Sequence, residues 1–373
     1  MTIKATPART VISEEELAHR LAFARVPRIG SRRTELLEAH FPSLKDAWQA
    51  DGGELQAAGL DAGTIRSLQQ HRAHIKPEAE IEQLVAARVT AIPWNDPRYP
   101  PRLREIDERP PVLFMRGELI PRDEWSLAVV GTRRVSPYGR QTAEEFSREL
   151  AHNGITVVSG LARGIDGIAH QAALDAGGRS IAVLPCGLDT IYPPEHADLA
   201  RRMADEGALI SEQALGVKPR ADYFPRRNRI LSGLTLGTLV IEAGEKSGAL
   251  HTANWANSQN REVFAVPGRI TSPSSQGANA LIQQGMAKLV TNVRDVLEEL
   301  NLQMVEHQIE LARVLPDDPT ESLILKQLSH EPLHIDEAVR AADLPVSTVS
   351  STLAMLELKG LVRQVGPMTY ARV

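Results

Sequence analysis

A single cysteine, Cys186, occurs in 373 residues. That excludes an internal disulfide framework and a cysteine-rich metal site, and it fits a reducing compartment. No apolar run approaches the ~20 residues of a membrane span. The polar stretch Met1 to Arg20, acidic at Glu14, Glu15 and Glu16, lacks the apolar core of a secretory leader. A cytoplasmic location without a membrane partner is therefore expected. An excess of base is also lacking: 42 Lys and Arg stand against 47 Asp and Glu, a formal net charge of −5. The whole molecule does not steer anions. A local basic cleft still acts largely on its own, because charge is screened over ~8 Å at physiological salt. Aromatic residues make up only 4%, so each aromatic in a basic context is informative.

The signatures of common cofactor enzymes are absent. The glycine pattern G-x-G-x-x-G does not follow the first strand of the central region, which excludes the usual dinucleotide fingerprint. G-x-x-x-x-G-K-[ST], the nucleophile elbow G-x-S-x-G and His-Glu-x-x-His are missing too. No cofactor, metal or catalytic residue is expected. Cys186, in Leu184-Pro185-Cys186-Gly187, has no adjacent histidine to serve as base and reads as a packing thiol. Asp166, Glu212 and Glu242 lie near strand ends, where orienting arginines or capping loops is the simpler role. His170, His196 and His251 stand alone on helical stretches and read as solvated or packing residues.

The chain divides into three folded parts. Residues 1–88 read as all-helical. Ser13 caps a first helix, Pro27-Arg28-Ile29-Gly30 breaks it, and Ser31 and Ser43 restart the next two. The pattern resembles sterile-alpha-motif or helix-hairpin-helix units, in which a glycine-rich turn can present N–H groups to phosphate. Pro27 and Arg28 stand where such hairpins usually carry a second glycine, so helix packing is the plainer reading. Residues 89–124, rich in proline and arginine, form an extended connector ending in a short strand. Residues 125–300 alternate buried strands with helices. The strands are expected at 127–130, 155–158, 180–184, 208–210, 236–241, 262–266 and 288–290. Such alternation implies a doubly wound α/β domain with a parallel sheet. After a linker at 301–319, residues 320–373 read as three helices and a hairpin, a winged helix. Five Lys and Arg there face six Asp and Glu, which favours protein contact or weak DNA contact over strong duplex binding.

Ligands of open α/β sheets bind at the carboxyl ends of the strands. The segments there are Gly131-Thr132-Arg133-Arg134, Ser159-Gly160 through Asp166, a long loop with Tyr223-Phe224-Pro225-Arg226-Arg227-Asn228-Arg229, and Glu242 through Ala249. Gly131 and Gly160 let backbone approach a phosphate. Arg133, Arg163, Arg226, Arg229 and Lys246 supply charge. Thr132, Ser159, Asn228 and Ser247 supply hydrogen bonds, and Phe224 a flat face for a base. Arginines beside an aromatic suit an unstacked base and its phosphate, so single-stranded nucleic acid is the expected ligand.

These same segments resemble the DNA-processing protein A (DprA/Smf) family over most of the chain. The resemblance is carried by Tyr99-Pro100, Pro110 to Phe114, Val130 to Arg133, Ser159 to Asp166 and Gly187-Leu188-Asp189. It continues with Phe224 to Ile230, Glu242 with Ser247 to Leu250, and Phe264 to Gly268. It implies an extended Rossmann-like core that binds single-stranded DNA and forms a homodimer. It also implies displacement of single-strand-binding protein and loading of RecA during natural transformation. By this resemblance Arg133 and Arg163 contact the DNA backbone, Phe224 stacks on a base, and Lys246 lines the same pocket. Thr132 stands where serine is common, and Glu195-His196 where asparagine is expected. One enzymatic alternative exists. Ser232 to Thr238 with Glu242 partly resembles the Pro-Gly-Gly-x-Gly-Thr…Glu signature of nucleotide phosphoribohydrolases, but the Pro-Gly-Gly is missing.

Overall fold

The computed structural model describes residues 12–301, 319–328, 333–342, 344–358, 362–366 and 368–372. The residues through Val296 form one compact unit and those from Leu297 a second. In the first unit the Ser13 hydroxyl accepts the Glu16 N–H at 3.2 Å. Three glutamates then occupy the positive end of α1 (Glu14–Ala24). Five more helices follow: α2 (Ser31–His40), α3 (Leu44–Gln49), α4 (Gly52–Ala57), α5 (Ala62–Arg72) and α6 (Pro77–Ala87). Ser43, Asp51 and Asp61 cap α3, α4 and α5. Phe23, Leu37, Trp48, Leu55 and Leu68 form the core of these helices.

The alternation beyond them builds β3 (Ser126–Val130), α8 (Pro137–His152), β4 (Thr156–Ser159), α9 (Ile165–Asp175) and β5 (Ser180–Leu184) after a leading segment. That segment holds β1 (Thr90–Pro93), α7 (Pro101–Arg104) and β2 (Val112–Gly117). The core continues with α10 (Ala197–Glu206), β6 (Ala208–Ser211), α11 (Tyr223–Leu234), β7 (Gly237–Val240) and α12 (Ala249–Ser258). It closes with β8 (Glu262–Ala265), α13 (Gln276–Gln283), β9 (Lys288–Leu289) and α14 (Val293–Glu299). Each expected core strand forms within one residue of its expected bounds.

Among the described residues the sheet runs β1-β2-β6-β5-β4-β3-β7-β8-β9. From β6 to β9 neighbouring strands are parallel. The expected connector supplies two strands rather than one. β2 pairs antiparallel with β6, and β1 with β2. Burial on both faces follows the strand period of two. On β5, Ile181 and Val183 pack on one face with Val158 and Ile210, while Ala182 and Leu184 pack on the other with Leu161 and Leu209.

β3 and β7 are adjacent parallel strands, and the chain order reverses between them. Their carboxyl ends, Val130 and Val240, diverge into loops that turn to opposite sides, leaving a crevice at this switch point. One expected loop is a helix instead. Tyr223 to Arg229 are the first two turns of α11. Pro225 sits in the opening turn, where its missing N–H costs no helical hydrogen bond.

In the second unit, α15 (Pro319–Gln327), α16 (Ile335–Ala342) and α17 (Val346–Leu358) precede the hairpin β11 (Val362–Gly366) and β12 (Thr369–Arg372). The strand β10 (Leu333–His334) pairs with β12 and completes a winged helix around Ile324, Ile335, Val349, Leu353 and Tyr370. Most of the expected linker, and Lys359 among the five basic residues of the winged helix, lie outside the described residues. No helix among the described residues is long and apolar enough to cross a membrane. No group of three or more His, Cys, Asp or Glu among them could hold a metal ion.

Candidate nucleic-acid interface

The crevice between β3 and β7 opens into a cleft of about 830 Å³. Gly131, Thr132 and Arg133 enter from the end of β3, and Gly244, Lys246 and Ser247 from the end of β7. Two glycines allow the β3 loop to approach its neighbours. A Cβ at Gly131 would run into Ile165, and Gly164 has φ +85° with its hydrogens against the Thr132 carbonyl. The loop is pinned by Thr132 N–H donating to the Glu242 carbonyl at 2.7 Å and by Ile165 N–H donating to the Thr132 carbonyl at 3.2 Å. Arg133 thus projects from a fixed turn into solvent.

Helix α11 decides which of its side chains meet here. Residues three and four apart share a helical face. Phe224, Arg227, Asn228 and Leu231 therefore line the cleft together. Tyr223, Arg226 and Arg229 turn to the opposite side and line a different one. The Arg133 guanidinium lies over the Phe224 ring, 5.1 Å from its centroid. Tyr192 meets the same ring edge-on at 5.6 Å. Phe224 is half-buried, with Arg133 and Lys246 exposed beside it. The N-terminus of α12 opens into the cleft through Ser247, Gly248 and Ala249. Free cationic groups, helix N–H groups and a ring held in place can together grip a phosphate and stack a planar base.

Of the twelve residues expected from sequence, Gly131, Thr132, Arg133, Phe224, Asn228, Lys246 and Ser247 converge in this cleft. Five do not. The buried Ser159 hydroxyl donates to the Val129 carbonyl at 2.6 Å and braces the strand. Gly160 lies behind the cleft, its N–H donating to Asp166 Oδ2 at 3.1 Å. Arg163 is exposed and ion-paired to Glu195. Arg226 faces the other side of α11. Arg229 is only 3% exposed. Its Nη1 and Nη2 donate to the two Glu212 oxygens at 2.9 and 2.7 Å, a bidentate pair that leaves no free fork.

Arg227, which sequence reasoning did not assign to the site, lies under the cleft floor. Its Nη1 donates to the Gly160 carbonyl at 2.9 Å. Burial pushes its guanidinium down to about 10, opposed by the nearby Asp166 carboxylate. Burial likewise raises Asp166, although Arg227 and two backbone N–H groups favour its charge. Asp166 therefore caps the 160–166 loop, the simpler role expected of it. Tyr192 and Arg220 were also missed. The local signal for Arg227 was available: Ile230, Leu231 and Leu234 after Pro225 have helical spacing, and that helix puts residue 227 beside 224.

The other candidates of the sequence are occupied structurally. Glu242 is buried, accepting from Ser136 N–H at 3.0 Å through Oε2 and from the Ser274 hydroxyl at 2.5 Å through Oε1. The Cys186 thiol is raised to about 11 by burial and is a poor nucleophile. His170 is fully buried, and desolvation lowers it to about 3. His251, by contrast, reaches the cleft lining.

Residues 90–301 match the family model described as DNA recombination-mediator protein A, and residues 312–366 match the DprA winged helix domain. Protein Smf of Escherichia coli K12 is 42% identical over 339 residues, covering 87% of this chain and 90% of that protein. DNA processing protein DprA of Bacillus subtilis 168 is 42% identical over 276 residues, covering 71% of this chain and 93% of its own. The X-ray structure of DprA from Streptococcus pneumoniae superposes with a TM-score of 0.66 at 33% identity, covering 78% of this chain and 99% of that one. DprA from Helicobacter pylori, whose structure describes a single-stranded DNA binding mode, matches with a TM-score of 0.53 at 29% identity. It covers 58% of this chain and 97% of its own.

Proposed function

The chain belongs to the DNA recombination-mediator protein A family, and from that premise we propose that the β3/β7 cleft binds single-stranded DNA, protects it and presents it to RecA. The observation that carries this reading is the Arg133–Phe224 pair beside the free Lys246 ammonium. Stacking contributes ~1–3 kcal/mol per base and tolerates any sequence. A duplex hides base faces and forfeits most of that contribution. The H. pylori relative, described with single-stranded DNA, supports the same ligand here. Displacement of single-strand-binding protein, action as a homodimer and a cytoplasmic location complete the reading.

The protein acts as a mediator and not as a catalyst. The carboxylate that a phosphoribohydrolase would need, Glu242, is engaged on both oxygens by Ser136 and Ser274. Binding should be tight to oligothymidine and weak to duplex of equal length, and equal affinity in a gel shift would refute the reading. RecA filament growth on DNA coated with single-strand-binding protein should accelerate when this protein is added. No acceleration would remove the loading role and leave the binding role standing.

A further inference from the structure

Helix α11 carries Phe224 into one cleft and Arg226 into another. We propose that this second cleft is a phosphodiester track for the nucleotides flanking those held in the first, an inference that rests on the single-stranded DNA reading above. The second cleft, of about 950 Å³, lies between the α1–α2 turn, the segment before β2 and the opening turns of α11. Eight arginines and four carboxylates line it, although the whole chain carries a net charge of −5.

Most of those arginines are held by carboxylates, as Arg28 and Arg33 are by Asp61 and Arg229 by Glu212. Arg32 and Arg226 differ. Both are exposed, and neither guanidinium has an ion-pair or hydrogen-bond partner among the described residues. A further cation lies deeper. Arg20 is 2% exposed and lines the cleft; its Nη2 donates to Glu38, while Nε and Nη1 have no hydrogen-bond partner among the described residues. Ser31, Arg32 and Arg33 at the start of α2 line it too, and the N-cap residue Gly30 has no side chain to satisfy their N–H groups.

The chemistry favours backbone over bases. Tyr223 is the aromatic of this lining, and the Arg220 guanidinium already lies over its ring at 5.0 Å. Continuity favours a nucleic-acid strand over an acidic peptide. Arg220, ion-paired to Asp222, lines both clefts, so their linings meet at the first turn of α11. A strand stacked on Phe224 would pass the positive end of that helix and reach Arg226, then Arg32.

The test compares oligothymidines of about 6 and about 20 nucleotides, within and beyond the span of a single site. Fluorescence anisotropy is measured on the full chain and on Arg32→Ala, Arg226→Ala and their combination. Both side chains are exposed, and circular dichroism checks the fold. The combined variant should bind the long oligonucleotide about tenfold more weakly, with its salt slope reduced by about 1.4 for two lost phosphates. Its affinity for the short one should be unchanged. Arg32→Lys should keep the charge and most of the long-strand affinity. Equal loss on both lengths would overturn the inference, as would no loss on the long one. Binding of a poly-glutamate peptide that is lost in the combined variant, with long-strand affinity intact, would also overturn it. If the unaltered protein fails to hold even the short oligonucleotide, the proposed function itself falls.

Discussion

Phe224→Ala separates stacking from charge at the β3/β7 cleft. Phe224 is half-buried and contacts Arg133 on its face and Tyr192 on its edge. Truncation removes the surface on which a base would stack, worth ~1–3 kcal/mol. That corresponds to a loss of about 5- to 150-fold in affinity. The cation–π contact with Arg133 adds ~0.5–1 kcal/mol at an exposed site. No charge is lost, so the dependence of log K on log salt should keep its slope. Arg133→Ala should do the reverse and lower the slope by about 0.7 for one single-strand phosphate. Because the two side chains touch, their effects should not add. A double-mutant cycle should show a coupling of ~0.5–1 kcal/mol. The measurement is a set of anisotropy titrations across a salt series. Unchanged affinity of Phe224→Ala, or a slope that falls as far as in Arg133→Ala, would refute the division of roles.

Three further outcomes follow from the same geometry. Acid should destabilise the first unit through His170, whose Nε2 accepts Leu161 N–H at 3.3 Å while Nδ1 lies 2.7 Å from a Ser180 hydroxyl that itself donates to Val157. Both bonds need the neutral ring with its proton on Nδ1. The folded value, about 3, lies below the ordinary 6.5, so the unfolded chain binds the extra proton. Stability should be full above pH ~6.5 and fall by up to about 1.4 kcal/mol per unit below it, and a denaturation midpoint that does not move between pH 7 and 5 (~1.5 units of which lie below 6.5) contradicts the assignment. Arg229→Met strands the partly buried Glu212 carboxylate and should cost up to about 3 kcal/mol in urea unfolding; a drop in the DNA salt slope without destabilisation would return Arg229 to the ligand site. Gly164→Ala puts a side chain at φ +85° against the Thr132 carbonyl and should cost about 1–3 kcal/mol, with weakened DNA binding through the displaced Arg133 turn. Wild-type stability and affinity would show that the turn tolerates a Cβ.

The helix at Tyr223–Leu234 shows where local reading stopped. Seven consecutive residues rich in arginine and aromatic character read as a loop, and a loop lets every side chain converge. The helix divides them by face, sending Phe224, Arg227 and Asn228 one way and Arg226 and Arg229 the other. Pro225 obscured the helix because proline usually marks a break, yet in an opening turn it costs nothing. Arg163 shows a second limit. Its partner Glu195 is 32 positions away, and no local pattern announces such a pair.

By itself the sequence determined the alternation of strands and helices, the parallel core, the glycine-rich strand ends and the family. Each of these is written in short-range terms: residue period, turn chemistry and motif order. Tertiary structure alone decided which charges are free. Arg133, Lys246, Arg32 and Arg226 stand open at the clefts, whereas Arg229 and Arg227 are buried against Glu212 and the Gly160 carbonyl. An arginine's availability depends on carboxylates and carbonyls brought beside it from distant chain positions. The strand order and the faces of α11 set those neighbours, and neither is a property of the residue or its immediate sequence.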